Sequence, residues 1–93
     1  MKVSLFEYCD WNTKAIGVSI GFLDLYFSYD TIIAFRFPGY GLVVRENDWS
    51  TTTGRHLNSI PHYKTERISG EQFEISLSEV LEKINFQQET EEK

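Results

Sequence analysis

The chain has 93 residues, a formal net charge of −5, 41% hydrophobic side chains and 15% aromatic ones. That is enough apolar material for one core in one domain, and it excludes disorder of the whole chain. A lone Cys9 excludes an internal disulfide framework, and no apolar run has the length of a membrane span or the flanks of a signal peptide. A reducing cytoplasm is therefore the expected compartment.

The charge is uneven. Residues 1–68 carry seven acids and seven bases, whereas residues 69–93 hold seven acids against Lys83 and Lys93. The acidic excess argues against a general nucleic-acid surface at that end and leaves a basic protein partner open. A solvated helix face followed by a soluble tail is the preferred account of such a charge run.

In chain order, Lys2 to Tyr8 alternates, with Val3 and Leu5 on one side and Phe6 and Tyr8 on the other, the period of a strand. Asp10 to Lys14 is turn-like, with Trp11 as a lid over the core. Val18 to Tyr29 reads as one long strand in which Leu23, Leu25, Phe27 and Tyr29 share a phase that Ile20 and Phe22 break, so a bulge is expected near Gly21. A turn at Asp30 leads into Thr31 to Phe37, with Ile33, Phe35 and Phe37 on one face. Pro38 and Gly39 occupy the two central places of a type II turn, and Gly41 to Arg45 returns as a strand. Pro38 to Val44 partly matches the signature of RNA-recognition sheets, but it lacks the leading base and two aromatics, and no long helix separates the first two strands.

A short helix is expected over residues 51–59, started by Ser50 and stopped by Pro61, with Thr53, Leu57 and Ile60 inward, Arg55 and Asn58 outward and His56 at the edge. Its threonines and Gly54 are poor helix formers, so tertiary contacts must hold it. Ser69 to Gln72 is a capping box, and Ile68 and Phe73 stand at the two places of a hydrophobic staple. The following helix carries Phe73, Leu77, Val80, Leu81 and Ile84 in one stripe, with Ile75 pointing away from it. The expected fold is α+β: a small antiparallel sheet of three to four strands, a short helix near 51–59, and a C-terminal amphipathic helix near 70–86 packed on one face. Residues 1–86 would form a single globular domain and residues 87–93 a frayed acidic tail.

The stretch from Arg45 to Ile60 concentrates polar groups where a scaffold would place helix formers, a local inconsistency that suggests a site. The backbone N–H groups of Thr51, Thr52 and Thr53 at a helix start attract anions, and Arg45, Asn47, Trp49, Arg55 and His56 are the side chains that could complete a ligand-binding site. The competing reading is a structural turn in which Asp48 and Ser50 satisfy the helix pole and Trp49 anchors it. No catalytic residue is assigned: an Asp-His-Ser set could be assembled from Asp48, His56 and the nearby hydroxyls, but no nucleophile elbow or phosphate loop accompanies it. His56 and His62 lack a recognised metal spacing, and Cys9 reads as a small buried hydrophobe, so neither metal nor cofactor is expected.

Three segments, Tyr26 to Phe35, Val44 to Asn58 and Ile68 to Glu74, resemble a family of short uncharacterised proteins encoded by phages and other mobile elements. The resemblance covers about the last two-thirds of the chain and does not extend to residues 1–16. It implies a setting, the cytoplasm of a host cell, and no mechanism. The expected function is that of a small non-enzymatic interaction protein that binds a host protein or nucleoprotein complex, with inhibition of host defence as an analogy. The alternative is a module for a nucleotide, a phosphate or nucleic-acid phosphate at residues 45–58. Tyr26, Tyr40 and Ile75 are the apolar groups left over for a homodimer contact.

Overall fold

The computed structural model describes residues 3–9, 14–47, 51–60, 62 and 66–91, with side chains throughout except at 51–54 and 85–91. Five strands, β1 (Val3–Glu7), β2 (Ala15–Ile20), β3 (Leu23–Ser28), β4 (Thr31–Phe37) and β5 (Gly41–Val44), form an antiparallel sheet in the order of the chain. Helix α1 (Thr51–Asn58) and helix α2 (Gly70–Glu91) follow. The class is α+β as expected, with one strand more than the three to four read from the sequence.

The extra strand arises at Gly21. Ile20 pairs with Leu23, so Gly21 and Phe22 form a two-residue hairpin loop and not a bulge in one long strand. Gly21 has φ +60°, the positive value that a II′ hairpin requires at its first central position. Tyr29, at the corresponding place between β3 and β4, has φ +58°, a conformation that a side chain other than glycine rarely takes. The Pro38-Gly39 turn has the type II form: Gly39 is at φ +91° and the Tyr40 N–H donates to the Phe37 carbonyl at 3.0 Å.

The irregularity in the sheet lies on β4. Tyr26 pairs with Ala34 and Phe27 with Ile32, which leaves Ile33 as the additional residue of a bulge. Ile33 thereby turns to the same side as Ala34, away from Phe35 and Phe37, with which the alternation had grouped it. Its carbonyl accepts from the Arg45 N–H at 3.2 Å.

Each face of the sheet carries a helix. On one face Leu23, Leu25, Phe35 and Phe37 meet Phe73, Leu77, Val80 and Ile84 of α2. On the other, Ile33, Ala34 and Val44 meet Leu57 of α1 and the following Ile60. The Gln72 N–H donates to Ser69 Oγ at 3.2 Å and the Phe73 N–H to the Ser69 carbonyl at 2.9 Å, so the cap is formed as read. The helix continues past Phe86 to Glu91. Leu81 departs from expectation: it is 38% exposed, on the flank of the stripe and not within it. Ile75 is exposed, as its phase requires.

Candidate functional site

The 45–58 stretch divides between the two helices. Arg45 leaves the end of β5 at an edge closed by a second piece of chain: the Glu46 N–H donates to the Ile68 carbonyl at 2.8 Å and the Ile68 N–H to the Val44 carbonyl at 2.9 Å. This parallel bridge carries the Arg45 side chain toward α2, where Nη1 lies 3.1 Å from Glu74 Oε1 and the guanidinium sits 5.6 Å from the centre of the Phe73 ring. The arginine is buried and the glutamate exposed. One side chain thus satisfies a carboxylate and stacks on the first core aromatic of α2.

His56 is fully buried, not at the edge of α1. Its Nδ1 shares a 2.7 Å hydrogen bond with Ser28 Oγ on β3, itself 3% exposed, and the rings of Tyr8 and Tyr29 lie 6.5 and 5.9 Å from it. Burial pushes the imidazole below its ordinary pKa of 6.5, so at neutral pH it is uncharged. A serine beside a neutral imidazole is the start of a nucleophilic pair, but the hydroxyl is enclosed between helix and sheet. The arrangement fastens α1 to β3.

Around this pair the Tyr8 hydroxyl donates to the Phe27 carbonyl at 2.6 Å. Burial first, then the neighbouring Cys9 and Tyr26, hold its phenol well above the ordinary range. Cys9 is buried, as read, and its Sγ accepts from Ser59 Oγ at 3.3 Å. At the end of α1, Arg67 Nε donates to His62 Nε2 at 2.8 Å while its Nη2 donates to Asn58 Oδ1 at 3.1 Å. His62 then donates through Nδ1 to the Ile60 carbonyl at 2.5 Å, which ties the segment before α2 back to α1.

Arg55 is exposed on α1 and Asn47 is exposed after β5. The side chains of Thr51, Thr52 and Thr53 and the whole of Asp48, Trp49 and Ser50 lie outside the described residues, as does Trp11, so the expected cap, anchor and lid fall there. Of the proposed ligand set, Arg45 and His56 point to opposite faces of the sheet, one into each helix contact.

A different surface feature escaped the sequence reading. Phe22, Phe37, Pro38 and Tyr40, from the two turns at one end of the sheet, line an open trough with Glu79, Glu82 and Lys83 of α2. Phe22 is 75% exposed. The Tyr40 hydroxyl donates to Glu79 Oε1 at 3.1 Å, and Lys83 Nζ stands 5.8 Å from the centre of its ring. The trough is assembled from residues far apart in sequence, and the one local hint was a phenylalanine at the second place of a hairpin loop.

Among the described residues, no group of His, Cys, Asp and Glu has the arrangement of a metal site, and no helix is long and apolar enough to cross a membrane. Residues 5–75 match a family described as a family of unknown function, DUF8033. The chain belongs to that family. The match takes in the whole sheet from Leu5 onward, α1 and the capped start of α2, and so includes both the Ser28–His56 and Arg45–Glu74 contacts. No curated protein and no solved structure matches the chain.

Proposed function

We propose that this chain is a small non-enzymatic interaction protein of a phage or other mobile element, acting in the host cytoplasm by binding a host protein or nucleoprotein complex. Inhibition of host defence is one role of that kind. The observation that carries the reading is the trough at the turn end, which an exposed Phe22 lines together with Phe37, Pro38, Tyr40, Glu79, Glu82 and Lys83. A lining of four apolar residues with two carboxylates against the single ammonium of Lys83 suits a partner segment that presents an apolar side chain beside lysine or arginine. Within the 45–58 stretch Arg55 is exposed on α1, while Arg45 and the neutral His56 are engaged in holding the two helices to the sheet. That weakens the alternative, a nucleotide or phosphate module at that stretch. The host setting is supported by the sequence resemblance, and a basic protein partner by the acidic balance of α2.

The test is affinity capture from host lysate with the parent protein and with Phe22→Glu. A host protein retained by the parent and lost with Phe22→Glu, both variants having the same circular dichroism, is the expected result. Stabilisation of the parent by nucleotides or phosphate in a thermal melt, lost in Arg55→Ala, would favour the alternative instead.

A further inference from the structure

The two edges of the sheet are treated differently. At the end of β5 the Ile68 bridge engages the Val44 carbonyl and the Glu46 N–H, whereas among the described residues nothing pairs along the outer side of β1. The hydrogen-bond phase shows which groups of β1 face outward. The Tyr29 N–H donates to the Lys14 carbonyl at 2.8 Å, so Lys14 directs its main chain toward β3, and with it Ile16, Val18 and Ile20, since successive residues of a strand point alternately to either neighbour. Gly17 and Ser19 therefore serve β1, where their partners are Phe6 and Ser4. The N–H and C=O groups of Val3, Leu5 and Glu7 are left pointing away from the sheet.

The side chains of the same strand are just as open. Leu5 is 72% exposed and Val3 58% exposed. Leu5 begins the cross-strand row Leu5–Val18–Leu25–Phe35–Val43, which α2 covers at its centre and leaves bare at this end. Neither charge nor proline interrupts Val3 to Phe6, although such residues are the usual protection of an exposed edge.

We infer that β1 is a self-association edge, whose occupant is β1 of a second copy of this chain, paired antiparallel about a two-fold axis at Leu5. The strand complements itself in this register. Leu5 meets Leu5 of the second copy, Val3 meets its Glu7, and each outward donor and acceptor finds a counterpart. The one charged residue of the strand, Glu7, faces an uncharged valine and not its own copy, so no like-charge pair opposes the contact. The apolar row then continues through Leu5 into the second sheet. A strand pair of this length is smaller than a standard interface, so the association is weak and depends on concentration.

Sedimentation velocity across about 10 to 500 micromolar protein should show the parent moving from monomer toward dimer mass, with Leu5→Lys held at monomer and its circular dichroism unchanged. A Leu5→Cys chain should form a covalent dimer on mild oxidation while the parent, with its buried Cys9, does not, because a hydrogen-bonded antiparallel pair brings the two Cα atoms within roughly 5.5 Å. This variant decides the matter should Leu5→Lys fail to fold. A parent that stays monomeric over the whole range overturns the inference. So does a dimer that Leu5→Lys leaves intact, or a monomer whose β1 instead takes up an extended segment of another protein.

Discussion

A histidine enclosed between helix and sheet has to remain neutral, and His56 does so because burial lowers its pKa from 6.5. The sign of the pH effect follows. Below about pH 6.5 the unfolded chain takes up a proton at this position that the folded chain refuses, so the stability contributed by neutral His56 is full above that pH and is lost as pH falls. Urea titrations at pH 7.5 and pH 5 should show His56→Gln less stable than the parent by about 1 to 3 kcal/mol at the higher pH, with the gap narrowing at the lower. A gap that widens on acidification would contradict the buried neutral form. Gly17 sets a second local constraint. The Phe6 ring lies where a Cβ at position 17 would project, and its edge meets Tyr26 at a centroid distance of 5.5 Å. Gly17→Ala should push Phe6 off Tyr26 and cost about 0.5 to 1.5 kcal/mol, read from the urea midpoint.

Helix α2 is held by one apolar stripe and by the Arg45 contact at its first turns. Leu77, Val80 and Ile84 are buried against β3 and β4 while Leu81 rides on the flank. Leu77→Ala should therefore cost about 2 to 5 kcal/mol, the range for a buried leucine, and Leu81→Ala distinctly less. Equal losses at the two positions would mean that the helix is rotated from the orientation described. Arg45→Ala removes a charged hydrogen bond and the packing on Phe73, but Glu74 is solvent-exposed, which screens the ionic part; the expected cost is about 1 to 2 kcal/mol, against under ~1 kcal/mol for Glu74→Gln. Loss of the Ser69 cap in Ser69→Ala should cost about 1 kcal/mol.

With a helix on each face, the sheet is best shielded at its centre and least at β1. Hydrogen exchange should follow that order: the amides of β3 and β4 exchange only through global opening, whereas those of β1 exchange through local fraying. Uniform protection across all five strands would show that the edge is covered. The same layering places two surfaces apart, the trough at the turn end and the open edge at β1. The proposed host partner and the proposed second copy would therefore not compete for the same residues.

The sequence alone was sufficient for the parts whose hydrogen bonds close within a few residues. The Pro38-Gly39 turn, the Ser69 N-cap and the phase of Phe73, Leu77, Val80 and Ile84 are all local relations, and each stands as read. The class followed from them, because alternating strands joined by tight turns can form only an antiparallel sheet with its helices laid on its faces. What required the folded chain was the destination of each side chain with two possible surroundings. A phase change at Gly21 fits either a bulge or a loop, and only the pairing of Ile20 with Leu23 separates them. Ile33 left its expected face because the bulge fell on it, and Leu81 is left on the flank of the stripe that packs on the sheet. Arg45 and His56 looked like members of one ligand set because they are neighbours in sequence. The sheet between them sends one to α2 and the other to Ser28, where Glu74 and the Ser28 hydroxyl each give a buried polar side chain a partner.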